Sequence, residues 1–219
     1  MVLLRAIRER KSGTHLLWWA AGVFFYGLGT LIESSITLGG NTIFLNKAWY
    51  VAGALLGGYP LAQGSVWLLT SRKFALRSTY VTVAFVAIAS LLVILSPVNM
   101  ELMEAHRPTG KVLEWSWVRL LTPFVNLYAA VFLIGGAIWS AFKYRKQGEH
   151  RSRVQGNWLV AIGAILPGIG GSMAKAGHVE ALYVGEMVGL IIMWLGYETI
   201  ARRYSQKRVS QELSGASAT

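Results

Sequence analysis

Residues 79 to 97 read TYVTVAFVAIASLLVILSP and contain no charged side chain. A helix needs ~20 residues to cross a hydrocarbon layer of ~30 Å, so this stretch predicts a transmembrane helix that closes at Pro97. Working outward, five further apolar stretches lie at about 15–36, 47–70, 117–142, 158–174 and 179–200. Basic residues mark alternate connections. Arg5, Arg8, Arg10 and Lys11 precede the first stretch, and Arg72, Lys73 and Arg77 follow the second. Lys143, Arg145, Lys146, Arg151 and Arg153 lie between the fourth and fifth, and Arg202, Arg203, Lys207 and Arg208 follow the sixth. Lysine and arginine are retained on the cytoplasmic side during insertion. The expected fold is therefore all-α: a polytopic membrane protein, a six-transmembrane-helix bundle with N-terminus and C-terminus both cytoplasmic. Residues 1–204 form one transmembrane domain in this reading. Residues 205–219 form a polar tail, expected to be disordered on composition. The bacterial plasma (inner) membrane is the expected location.

Composition agrees with a bilayer as solvent. The apolar fraction is 54%, the charged fraction 14% and the mean hydropathy +0.45, against about 25% charged residues in an ordinary soluble domain. A net charge of +11 could suggest nucleic acid, but the basic residues sit in short patches beside span ends, where anionic headgroups lie. The expected partners are membrane lipids, a small solute or protons, and other membrane subunits or a second copy of the chain, with no nucleic acid. Cysteine is absent, which excludes disulfides and thiolate chemistry. Aspartate is absent too.

Aromatic placement gives a second, independent drawing of the same topology. The nine tryptophans fall near predicted span ends, where an indole can keep an apolar edge in lipid and its N–H wet. The apolar run Leu16–Ile32 is longer than a signal-peptide core of ~7–15 residues, so the first span reads as a retained helix. Met1–Arg10 reads either as a short interfacial amphipathic helix or as a frayed basic end. Residues 98–116 form the one long outer connection, with a turn at Pro108-Thr109-Gly110. Trp49-Tyr-Val-Ala and Trp158-Leu-Val-Ala align at an offset of 109 residues. Such a match is either an inverted repeat or the chance recurrence of small residues in membrane helices.

Polar residues inside the spans are the candidate site. The third span reads as plain lipid-facing hydrocarbon. The first carries Tyr26 and Glu33 on one face with Gly22, Gly29 and Thr30. The second carries Gln63 after Gly57-Gly58-Tyr59-Pro60, a stretch expected to kink or break the helix. Arg119 and Asn126 lie on the fourth, with Thr122 and Pro123. The fifth has a Leu166–Ser172 stretch rich in glycine around Pro167, expected to kink, and ends at Lys175. On the sixth, Tyr183 shares a face with Glu186, which falls roughly 10 Å inside the outer boundary at 1.5 Å per residue. Ionisable groups at such depth are costly and face protein or water.

Two functions follow as expectations. In one, Glu33, Tyr26, Gln63, Arg119, Asn126, Lys175, Tyr183 and Glu186 bind or pass a small solute through an outward-facing polar cavity. In the other, the same groups pair to lock helices in a non-catalytic accessory or sensor subunit of a larger membrane complex. No catalytic residue is assigned, and enzyme activity is the minority reading. The positions of His15, His106, His150 and His178 give no haem pair and no zinc cluster, and no mid-helix lysine suits retinal. The cofactor is therefore unknown.

Overall fold

The computed structural model describes residues 13–147, 151–178 and 180–216, with side chains described as far as Ala201 except at 174 and 175. The reading of Met1–Arg10 lies outside these residues. Helices dominate, and the only strand-like pairing among the described residues is an isolated antiparallel bridge between Val98 and Leu113. Five helical runs are long and apolar enough to cross a membrane: Thr14–Gly39, Arg72–Leu95, Ser116–Lys146, Arg151–Met173 and Glu180–Ala201. The chain is an all-helical, multi-pass membrane protein. Its internal contacts gather into two compact units, Met1–Phe132 and Leu133–Thr219.

In the first unit, α1 runs from Thr14 to Gly39. It ends where Gly40 takes φ +97°, a left-handed conformation that glycine adopts without penalty, and the Gly40 N–H closes onto the Ile36 carbonyl at 2.9 Å. The expected second span is interrupted. Helix α2 (Ile43–Trp49), capped by the Thr42 hydroxyl, passes into a π-helical turn at Tyr50–Leu55. Turns at 56–58 separate that from α3 (Tyr59–Leu69). The interruption is dictated locally. Pro60 has no N–H to continue a ladder from below, and it sits in the first turn of α3, where that N–H is not needed. A Cβ on Gly57 would lie 2.5 Å from the Gly53 carbonyl oxygen, so the tight turn admits only glycine.

Helix α4 (Arg72–Leu95) starts a full two turns before the expected Thr79, with Ser71 as its N-cap. Residues within the expected span and just before it correct the reading of this span as plain hydrocarbon. Ser78, Thr79 and Thr82 face protein and serve as hydrogen-bond partners to the preceding span. Its other face is lipid-like, with Val81, Ile88, Leu91 and Leu95 exposed. The fourth run opens as a 3-10 turn (Ser116–Leu120). It continues as α5 (Leu121–Ala129), a π-helical stretch at Ala130–Gly135, and α6 (Gly136–Lys146). Tyr50, Leu55, Tyr59, Val86, Val93 and Val125 are central to the core of this first unit.

The second unit is built on an antiparallel pair, α7 (Arg151–Lys175) and α8 (Glu180–Ala216). Glycines recur at seven-residue spacing on each: Gly156, Gly163 and Gly170 on α7, Gly189 and Gly196 on α8. A Cβ on Gly156 would meet the Gly196 carbonyl at 2.8 Å, and one on Gly196 would meet the Gly156 carbonyl at 2.7 Å. Gly163 and Gly189 show the same reciprocity, at 2.6 and 2.5 Å. The two backbones touch along this seam, the close approach that small residues permit in membranes. A period of seven fits a left-handed crossing.

Pro167 lies inside α7, whose helical run passes through it without a break. Proline removes the bond that residue 167 would make to the Gly163 carbonyl. That carbonyl points at the Cα of Gly189 on α8, so a Cα–H contact takes over part of the lost bond. The stretches around Trp49 and Trp158 thus fold differently, one interrupted and one continuous. Helix α8 also continues to Ala216, past the expected start of the tail at 205.

Candidate functional site

Gln63 is fully buried and occupies the centre of a closed network. Pro60 starts α3 three residues earlier and so fixes the face on which Gln63 emerges. Its Nε2 donates to the Thr79 hydroxyl at 2.7 Å and the Ser78 hydroxyl at 3.2 Å, both on α4. Its Oε1 accepts from the Tyr128 hydroxyl on α5 at 2.6 Å. Trp67 Nε1 donates to the Thr79 hydroxyl at 3.0 Å, and the hydroxyls of Tyr59 and Thr82 meet at 2.9 Å. Three helices are thereby tied by one amide. Both ends of that amide are satisfied, as a carboxamide in hydrocarbon requires.

Glu33 sits at the other end of α1, also buried. Its carboxylate accepts from Trp49 Nε1 at 3.1 Å. The contact is possible because Gly29 and Gly53 let the two segments approach: a Cβ on Gly29 would lie 2.8 Å from the Gly53 Cα. Nearby, the hydroxyls of Tyr50 and Thr122 meet at 2.8 Å. Arg119 is half-buried, and its Nε donates to the Ser116 carbonyl at 3.4 Å rather than to Glu33. Glu33 and Arg119 are therefore not bonded to each other.

A third polar centre fastens the connection at 98–116. Asn46, fully buried, grips the backbone of Thr109 through both ends of its amide, at 3.0 Å each way. Asn41 donates to the Asn46 side chain and to the Glu104 carbonyl, each at 3.1 Å. Lys47 donates to the carbonyls of Ile94 and Ser96 at 2.8 and 2.7 Å, satisfying the C-terminal end of α4.

Of the expected site residues, Tyr26, Glu33, Gln63, Arg119 and Asn126 belong to the first unit, and Tyr183 and Glu186 to the second. The side chain of Lys175 lies outside the described residues. Within the first unit the set does not converge. Gly64 packs on His15 and Trp19 at the start of α1, whereas Glu33 is near its end, so Gln63 and Glu33 are separated by most of a membrane thickness. Asn126 is exposed on α5, and Tyr26 is half-buried on α1. In the second unit Tyr183 is exposed and Glu186 half-buried.

A cavity of about 190 Å³ opens between α4 and α5, lined by Tyr59, Thr82, Phe85, Phe124 and Tyr128 among others. Its tyrosine and threonine hydroxyls are already bonded, so its walls are effectively apolar. Among the described residues no three histidine or acidic side chains come together as metal ligands do. Sequence reading missed Trp49, Tyr128, Thr79, Asn46 and Lys47. The signal for one of them was present: Ser78, Thr79 and Thr82 recur at helical spacing on what looked like uniform hydrocarbon. Comparison with protein-family models, with curated proteins and with solved structures finds no match.

Proposed function

We propose that this chain is a non-catalytic membrane component, an accessory or sensor subunit, whose intramembrane polar groups join helices. The observation that carries this reading is the Gln63 amide, buried and engaged at both ends by α4 and α5. Glu33 supports it, since its carboxylate is occupied by an indole N–H of the adjoining segment. Groups spent on each other are poor receptors for a solute.

Six crossings with cytoplasmic termini belong to the same proposal. The interrupted segment runs antiparallel to α1, with Trp49 beside Glu33 and Gly64 beside His15. From His15 to Glu33 is roughly 27 Å at 1.5 Å per residue, close to a hydrocarbon thickness. The segment from Trp49 to Gly64 therefore traverses that depth despite its break. The distribution of basic residues supports placing both ends, and the connections rich in lysine and arginine, on the cytoplasmic side. A bacterial plasma membrane suits this arrangement.

A solute-binding reading retains one specific observation, a helix interrupted at 56–58 in the segment whose Trp49 contacts a buried acid, a combination that transporters use at their sites. A thermal-shift screen of the purified protein in mild detergent separates the two. Amino acids, sugars, and mono- and divalent cations are expected to leave the melting temperature unchanged. A solute that stabilises the native protein and fails to stabilise Glu33→Gln overturns the subunit reading.

A further inference from the structure

Asn126 is a polar side chain in the middle of a span, pointing out of the unit that carries it. It lies nine residues beyond Trp117 and seventeen before Lys143, roughly 14 and 25 Å along the helix, so headgroups at neither surface reach it. Its carboxamide makes no hydrogen bond among the described residues. Asn157, by contrast, turns back onto the Arg153 carbonyl at 2.8 Å and satisfies itself within its own helix. Asn126 is left with donors and an acceptor directed out of its unit, and lipid could satisfy none of them.

From this geometry we infer that the Asn126 face of α5 is a self-association surface, and that its occupant is a second copy of this chain. A carboxamide carries one donor and one acceptor side by side. A two-fold axis beside Asn126 sets two such groups head to tail, so each satisfies the other without any further polar residue. Buried asparagine pairs specify two-stranded helical contacts on the same principle. The surroundings suit a helix partner. Ala130, one turn on, is exposed and small enough for close backbone approach, and Leu127 and Val131 are exposed apolar flanks. A partner lacking an amide or hydroxyl at the matching depth leaves Asn126 unsatisfied, whereas a second copy always supplies one.

The absence of cysteine makes the test direct. Full-length protein carrying Leu127→Cys in lipid vesicles is expected to form a disulfide-linked dimer on oxidation. The same protein carrying Ile88→Cys, on the lipid-facing side of α4, is not. Energy transfer between donor- and acceptor-labelled copies, followed on dilution with lipid, gives the strength of association. Asn126→Leu is expected to weaken it about 3-fold to 30-fold, and Asn126→Gln, which keeps the amide, to restore most of it. Because the side chain is exposed and forms no hydrogen bond among the described residues, melting of Asn126→Leu should match the native protein. Native chains that stay monomeric, or an Asn126→Leu variant that associates as strongly as native, overturn the inference. So does a link within one chain between Leu127→Cys and Val184→Cys, which would show that the chain's second half covers this face.

Discussion

Tyr128 donates its hydroxyl to Oε1 of Gln63 across 2.6 Å, joining α5 to α3 at a point where the Gln63 amide is fully buried. Removing one partner strands the other. Tyr128→Phe leaves half of a buried amide unpaired and is expected to cost about 1–3 kcal/mol, toward the low end because unfolded helices in a membrane also find partners. Gln63→Leu should cost at least as much, since Thr79 and Tyr128 both lose a partner. The double variant should cost less than the sum of the two. Unfolding in mixed detergent micelles measures all three, and strict additivity would show that the pair is not coupled.

The glycine seam of the second unit gives a sharper contrast. Gly189→Ala places a methyl 2.5 Å from the Gly163 carbonyl oxygen and forces α7 and α8 apart. Overpacking of this kind costs about 1–3 kcal/mol. Gly168, on the same α7, has open space where a Cβ would go, and Gly168→Ala should be neutral or slightly stabilising, because alanine favours helix. Melting temperatures of the two variants check this. Equal losses at both positions would mean the seam is looser than the backbone contact implies.

Hydropathy made the lipid-facing parts of this fold legible and hid the parts where polar groups meet protein. Residues 79–97 stood out as a span because lipid imposes one simple rule on composition. The hydroxyls of Thr79 and Thr82 did not stand out, because threonine is compatible with either side of a helix and only a partner such as Gln63 reveals which side is wet. The break at 56–58 was signalled by two glycines and a proline. Pro167 with Gly168 sent the same signal, yet α7 runs through without a break, and Gly189 on α8 lies against the freed Gly163 carbonyl. A local motif cannot announce that rescue. Glu33 was recognised as unusual, but its partner Trp49 had been read as an interfacial anchor. One indole can serve as anchor by its ring and as donor by its N–H.

Asn46 holds the connection at 98–116 by pairing with the Thr109 backbone as another backbone segment would. Asn46→Ala removes both bonds and the acceptor for Asn41, leaving buried peptide groups unsatisfied, and is expected to cost about 1–3 kcal/mol. The effect should be local. Amides of residues 98–115 are expected to exchange with deuterium faster while those of α7 and α8 keep their protection, as detected by exchange mass spectrometry. Uniform loss of protection throughout would show that this connection is part of the global folding unit rather than an appended strap.

The interrupted second segment makes the strongest demand on topology. If Trp49 to Gly64 crosses, the loops on either side of it lie on opposite faces of the membrane. Gly39 is exposed with open space around it, and Lys73 is exposed at the start of α4. In a chain with no native cysteine, Gly39→Cys should react with a membrane-impermeant maleimide in intact cells, together with Glu104→Cys in the long outer connection. Lys73→Cys and Gln147→Cys should react only after permeabilisation. Labelling of positions 39 and 73 from the same face would make the segment a re-entrant loop and reduce the crossings to five. The basic residues at 72, 73 and 77 argue against that outcome, since moving them outward would place them opposite the cytoplasmic bias of the other charged connections.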